Sequence, residues 1–397
     1  MAWPTLVLRI AFASDPMSAS PSWTVITSDL RSITTKRGRQ HELNRMQAAV
    51  ADLELNNRHG NYWPNNTGGS YYPNVKPNKR INLYAIYDAV TYHLFTGFLE
   101  DWNPAWIDEK GGLFPIVRPQ CADLCANIAR YDLNHAGYSQ ELSGIRIGNV
   151  LDHFGWPAGL RDLDAGQSQM QASGAMESVN AWEHLLNVQK SELGIIYIAG
   201  DGDVQFEDRH HRLKGAHLVS QATFGDDSGE KPYHGLRPRY GASQIYNDVR
   251  IKREGGNQQS AVDATSQTAY GKRSFSESGL FMTTDGEAAD QANFILKTYK
   301  DPFFRTRELR IVPESHPADL WPQVLGREIS DRITLRRNEA DLDEDYFIEG
   351  IQHTIDIVNY TWETMWQLSC AEGIQQKFWA LGVAGYSEIG ETTYLCY

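Results

Sequence analysis

The stretch Glu177–Arg209, ESVNAWEHLLNVQKSELGIIYIAGDGDVQFEDR, decides how the rest of the chain is read. Val179, Trp182, Leu185, Leu186 and Gln189 recur at the three-and-four spacing of a half-buried helix, with Glu183, Asn187 and Lys190 off that stripe. Ser178 is placed to cap the first turn, because a serine oxygen accepts an orphan backbone N–H. Gly194, lacking a Cβ, can take the left-handed conformation that closes a helix. Ile195–Ile198 is then a short apolar strand, and Val204 and Phe206 alternate with polar residues on the return strand. Gly200-Asp201-Gly202-Asp203 supplies the positive φ angles of the turn between them. A helix followed by a tight hairpin predicts an α/β piece, and the sequence on both sides of it is β-like.

Before this piece, Thr5–Phe12, Trp23–Thr35 and Ala48–Leu55 are strand candidates rich in β-branched and apolar residues. Trp3–Ala13 ends like a signal-peptide cleavage site, but Arg9 interrupts it and no basic region precedes it, so an N-terminal strand is expected. A loop crowded with Asn, Gly, Pro and Tyr follows, 56–78. Arg80–Ala85 and Thr91–Leu99 then read as a hairpin across Tyr87-Asp88-Ala89, ended by Trp102-Asn103-Pro104. Pro115–Pro119 opens a middle segment with helices over 122–131 and 143–154, the latter stopped by Gly155 and Pro157. Beyond residue 216, strands are expected over 245–253, 274–281, 309–312, 329–336, 347–357 and 361–368, interrupted by one helix over 286–298.

The two flanks echo each other. Arg80-Ile81-Asn82-Leu83 leads through a turn to Leu94-Phe95-Thr96-Gly97-Phe98, and Arg332-Ile333-Thr334-Leu335 leads to Tyr346-Phe347-Ile348-Glu349-Gly350. The fold class is therefore α+β, mainly β, with two related β-domains around an insert. The domain reading is 1–115, 116–215 and 216–397, the last with one helix.

A net charge of −13 argues against a surface that grips nucleic acid, which needs clustered Lys and Arg. The basic run Lys36-Arg37-Gly38-Arg39 reads as a solvated loop. No apolar run approaches the roughly 20 residues of a membrane span. Cys121, Cys125, Cys370 and Cys396 are too few to staple a chain of 397 residues, and reduced, partly buried thiols are expected. His41-Glu42-Leu43-Asn44-Arg45 begins like a zinc-protease helix, but the second ligand position is an arginine. His210-His211 reads as a solvated strand end, since neighbours on a strand point to opposite faces. Asp201-Gly202-Asp203 fails the calcium-loop pattern at Phe206 and Arg212. Asp341, Asp343, Glu344 and Asp345 read as a solvated hairpin tip. No catalytic residue, cofactor or metal is expected.

As an ordered set, several segments resemble a tail-tip protein of a tailed bacteriophage, of the baseplate-hub (minor tail protein) kind. They are Thr34-Thr35-Lys36-Arg37-Gly38-Arg39, Leu53-Glu54-Leu55-Asn56-Asn57, Tyr62-Trp63-Pro64 and Leu94-Phe95-Thr96-Gly97-Phe98. The middle of the chain adds Ser143-Gly144-Ile145-Arg146-Ile147, Val150-Leu151-Asp152, Gly155-Trp156-Pro157, Ser191-Glu192-Leu193-Gly194 and Asp201-Gly202. The set closes with Phe206-Glu207-Asp208-Arg209 and Ile348-Glu349-Gly350-Ile351-Gln352-His353, so it covers roughly residues 24–370.

The resemblance implies two tube-type β-domains flanking a middle α/β region, with three copies forming a pseudo-sixfold ring. It also implies a structural virion protein that joins the tail tube or distal tail ring to tip or fibre proteins, for host attachment and genome ejection. The protein would be assembled in the host cytoplasm, and DNA would pass through its lumen without specific binding. The alternatives are a hexameric distal tail protein, or a tail-associated polysaccharide-degrading or carbohydrate-binding protein. Tyr62, Trp63, Tyr71 and Tyr72 in the 56–78 loop are the candidate interface residues, because Tyr and Trp bury area at little rotamer cost. A channel carrying DNA is expected to be neutral to negative, with the Lys36–Arg39 run away from it.

Overall fold

The computed structural model describes residues 3–371, apart from 110 and 304. Most strands belong to one large sheet that contains two units of six strands. In the first unit the strands lie in the spatial order Leu30–Gly38, Val50–Asn56, Gly112–Ala122, Val90–Glu109, Arg80–Tyr87, Thr5–Ile10. In the second the order is Gly235–Arg239, Arg305–Ile311, Thr361–Cys370, Leu342–Asp356, Arg332–Arg337, Thr223–Phe224. The six members come in the same sequence order in both units. One pairing differs in sense: Thr5–Ile10 runs antiparallel to its neighbour, whereas Thr223–Phe224 runs parallel to its own.

The expected hairpin across Tyr87-Asp88-Ala89 is present, and Asp88 and Ala89 both have positive φ, the geometry that matches strand twist in a two-residue loop. Its second strand does not stop at Trp102. It runs on to Glu109 and pairs with Gly112–Ala122, so Pro115–Pro119 is strand rather than the entry to a helical segment. The prolines at 104, 115 and 119 do not interrupt these strands, because proline is tolerated where its missing N–H faces an unpaired edge or an irregularity.

The echo also holds in three dimensions, at a different offset from the one the glycines suggest. Each long strand is handed from its hairpin partner to the next strand at a phenylalanine. Phe98 pairs with Arg80 and Ala122, and Phe347 pairs with Arg332 and Ser369. Two residues later each has a bulge, skipping Glu100 in one unit and Glu349 in the other. Phe98 thus matches Phe347, and Gly97 does not match Gly350.

The units share one core in which Leu8, Leu53 and Leu83 from the first are continuous with Leu309, Ile348 and Trp366 from the second. The helix Pro317–Gly326 seats Trp321 in it, in edge contact with Trp3 and Trp362. That helix and Ala264–Tyr270 join the observed Asp285–Tyr299, so the C-terminal part holds three α-helices among the described residues, not one. Two of the three belong to a separate α/β insert. The strands Asp248–Arg253, Gln259–Val262 and Ser274–Leu280 form a three-stranded sheet, covered by Asp285–Tyr299 around Val249, Ile251, Ala292 and Ile295.

In the middle of the chain the 177–209 stretch folds as helix and hairpin, Ala181–Glu192, Ile195–Ile198 and Val204–Glu207. Its ends differ from expectation. The Asn180 side chain, not Ser178, accepts the cap hydrogen bond, from the Glu183 N–H. Leu193, not Gly194, takes the left-handed conformation. Gly194 is required for a different reason, since a Cβ there would lie 2.5 Å from the Glu207 carbonyl oxygen. The helix Ser143–Phe154 ends at Gly155 as read, whereas the 122–131 helix shortens to Leu124–Ile128.

Candidate functional site

The two units meet where Leu30–Gly38 pairs with the second half of Leu342–Asp356, from Ser32 opposite Asp356 to Gly38 opposite Gly350. The basic run therefore lies in an interior strand, which overturns its reading as a solvated loop. Lys36 is exposed, but Arg37 and Arg39 are buried. A buried guanidinium persists only when it is paired. Arg37 meets Glu328 at 2.8 Å, and Arg39 Nε meets Glu349 Oε2 at 2.7 Å. Glu349 is the bulge residue, and a bulge re-aims a side chain out of simple alternation. It is 0% exposed and also accepts from Arg212 and from Ser369 Oγ, each at 2.5 Å. Arg212 reaches Ser330 Oγ at 3.1 Å, and Ser330 in turn donates to Glu207 of the 195–207 hairpin. One carboxylate thus joins the two β-units to the middle region. Burial disfavours its charge, but Arg212 and Arg39 outweigh that and hold the Glu349 carboxyl well below the usual range. Sequence reasoning did not single out Glu349, Arg212 or Ser330, whose only link is three-dimensional.

The 56–78 loop is folded against the first unit rather than extended. Backbone hydrogen bonds recur every three residues along it, from Gly60 to Asn57, Trp63 to Gly60, Asn66 to Trp63, Gly69 to Asn66 and Tyr72 to Gly69. Asparagines and glycines close these turns without any apolar periodicity. Tyr62 is 1% exposed and donates to Asp29 Oδ2 at 2.7 Å, and Tyr71 stacks on Phe12 at 4.3 Å. Both therefore anchor the loop to the core. Trp63 lies 6.0 Å from Trp106, and Tyr72 is 45% exposed. Trp106 at 55% and Leu113 at 76% belong to the hairpin of residues 101–118 and extend this apolar surface. Tyr62→Phe is expected to destabilise the fold by about 1–2 kcal/mol, through the lost hydrogen bond to a carboxylate. Tyr72→Ala should stay within about 0.5 kcal/mol. Denaturant midpoints of the two variants check this.

The enzyme-like motifs fall into structural networks. Glu42 accepts from Tyr299 Oη at 2.6 Å and meets His41 at 3.0 Å, in a turn rather than a helix. His211 opens the short 3-10 turn His211–Leu213 and contacts Asp164 at 2.7 Å, so it is held in place and not free in solvent. Asp201–Asp203 is the hairpin turn, as read. In the acidic run Asp345 pairs with Arg332, while the exposed Asp343 pairs with Arg336. Among the described residues no group of three or more His, Cys, Asp or Glu is placed to hold a metal ion. Cys121, Cys125 and Cys370 are buried free thiols, and burial raises the first two above the ordinary thiol range. Cys396 lies outside the described residues. Among the described residues, no helix is long and apolar enough to cross a membrane.

No protein-family model matches the chain, and no curated protein matches it. Solved structures do. The 43 kDa tail protein of prophage MuSo2 from Shewanella oneidensis superposes with a TM-score of 0.59 at 14% identity, over 94% of this chain and 98% of that one. A tail protein from Neisseria meningitidis MC58 gives 0.60 at 12% identity, over 94% and 97%. The E. coli c3393 protein, described as a type VI secretion component similar to the T4 tail proteins gp27 and gp5, gives 0.50 at 9%, over 94% and 81%. At these identities the likeness concerns the fold. The resemblance read from the sequence is borne out at that level: over 94% of its length the chain has the fold of prophage tail proteins.

Proposed function

We propose that this protein is a structural component of a phage or prophage tail tip, a baseplate hub that joins the tail tube to the host-contacting tip. The observation that carries the reading is the repeat of one six-strand order within a single sheet. Two like units in one chain let a ring with sixfold pseudo-symmetry be built from three copies, which suits a part that adapts a sixfold tube to a threefold tip. A single unit per chain would instead suit a hexameric ring. The likeness to prophage tail proteins over 94% of the chain supports the same role, and no catalytic function is part of it. DNA would pass through the lumen without specific contacts. With Arg37 and Arg39 occupied by Glu328 and Glu349, the basic run offers only Lys36 to solvent. The test is a solution mass with class averages from electron microscopy, alone and with tail-tube protein. A trimeric ring is the expected result, and a hexamer would replace the hub reading with that of a distal tail ring. Hydrolysis of host polysaccharide that is abolished by removing a single carboxylate would overturn the structural reading altogether.

A further inference from the structure

A cleft of about 130 Å³ opens where three parts of the chain meet, bordered by Arg39 and Arg212 of the Glu349 network. The helix Ala181–Glu192 and the hairpin after it supply Leu186 and Ile195, and the α/β insert supplies Phe275 and Ile295. Residues 39–45, on the connection between Leu30–Gly38 and Val50–Asn56, supply Leu43. Leu43 and Phe275 are only half-buried, so part of this apolar lining faces solvent. The charged side chains around it are already partnered within the chain. Lys190 meets Glu277 at 2.8 Å, Arg209 meets Glu192 and Glu287, and Glu42 accepts from Tyr299. A charged ligand would break one of these pairs, whereas a neutral one leaves them intact.

One polar group in the lining is left over. Gln291 is 3% exposed, and its Nε2 donates to the Lys190 carbonyl at 3.0 Å, which fixes the orientation of the amide. Among the described residues, nothing donates to its Oε1. A buried acceptor without a donor is costly, so a ligand that brings an N–H gains by satisfying it. We propose that this cleft receives a neutral aromatic ring with one N–H donor, the indole of a tryptophan on a partner polypeptide. The N–H meets Gln291 Oε1, and the ring covers Leu186, Ile195 and Ile295.

Volume limits the occupant to one ring system. An apolar cavity of about 150 Å³ holds a single benzene, whereas cofactor- and drug-sized ligands need about 300–1,000 Å³. A lone ring has few atoms with which to offset the cost of being held, and a ring borne on a chain adds the contacts of its flanking residues. Asn44 and Arg45 are exposed beside the cleft and offer polar groups to such flanks. Tryptophan is also among the side chains that most often anchor a protein interface in a desolvated pocket.

That the partner is another tail protein rests on the hub reading, whereas the site and its ligand chemistry do not. Fluorine NMR of the full chain, titrated with 5-fluoroindole, 5-fluorobenzothiophene and N-acetyl-5-fluorotryptophanamide, tests the proposal. Benzothiophene keeps the bicyclic shape without the N–H, and it should bind about fivefold more weakly than the indole. In Gln291→Leu that preference should vanish. Leu43→Trp keeps the amide and fills the cleft, so it should abolish binding of all three probes. Equal binding of the two bicyclic rings to the wild type would overturn the role of Gln291. Binding that survives Leu43→Trp, or no binding up to the solubility limit, would overturn the site. Binding of 5-fluoroindole without the tryptophan amide would overturn the partner-borne source. A protein that binds the indole and never forms a ring would sink the hub reading alone, and a ring that ignores all three probes would sink this site alone.

Discussion

Replacing Glu349 with alanine is expected to destabilise the protein by roughly 3–5 kcal/mol, the range for removing one partner from a buried ion pair. The carboxylate is fully buried and is shared by Arg39, Arg212 and Ser369, so its removal takes the counter-charge from two buried guanidiniums at once. Glu349→Gln keeps the volume and removes the charge, and it should recover only part of the loss. The pH dependence carries its own sign. Because the folded-state carboxyl is held below its ordinary value of 4.5, its contribution is complete above about pH 4.5 and is lost as the pH falls below that. Melting temperature followed from pH 7 to pH 3 checks this. The wild type should lose stability over the acid range more steeply than Glu349→Gln. Parallel curves would show that the arginines do not act through this carboxylate.

Gly38→Ala is expected to cost roughly 2–5 kcal/mol, from two separable causes. Its φ of +92° is a conformation in which an L-residue costs about 1–2 kcal/mol. In addition, a Cβ would lie 2.3 Å from the Glu349 carbonyl oxygen and 2.6 Å from the Gly350 Cα, both backbone atoms that cannot rotate away. Such overpacking costs about 1–3 kcal/mol. Gly155 offers the comparison, with a φ of +84° and nothing within 4 Å of its Cβ position, so Gly155→Ala should show the conformational cost alone. A denaturant midpoint for Gly38→Ala no lower than that of Gly155→Ala would refute the close approach between the two units. The effect should also reach assembly, since this junction sets the angle between the units.

Local pattern was legible wherever a segment's own neighbours in sequence satisfy it. The 181–192 helix, the 195–207 hairpin, the 143–154 helix with its glycine stop and the hairpin at Asp88-Ala89 are of this kind, because spacing and turn chemistry act over a few residues. The two strands through Pro104 and Pro115 were not, since what permits a proline is an absent partner on one edge. Nor was the 56–78 loop, in which Tyr62 was a reasonable candidate for an exposed interface. Its hydroxyl instead meets Asp29, a residue 33 positions earlier.

By itself the sequence determined the mainly β class with a central α/β piece, the existence of two echoing hairpins, and the resemblance to phage tail-tip proteins. It also nominated the aromatic loop that flanks the exposed Trp106. Only the tertiary structure decided that the basic run is interior strand, that Glu349 joins three parts of the chain, and which strand edges remain open. The physical reason is range. Periodicity and caps are short-range preferences that leave their mark in consecutive residues. Burial of a charge and pairing of an edge depend on partners such as Arg39 and Glu349, 310 positions apart, which only the folded chain brings within 2.7 Å.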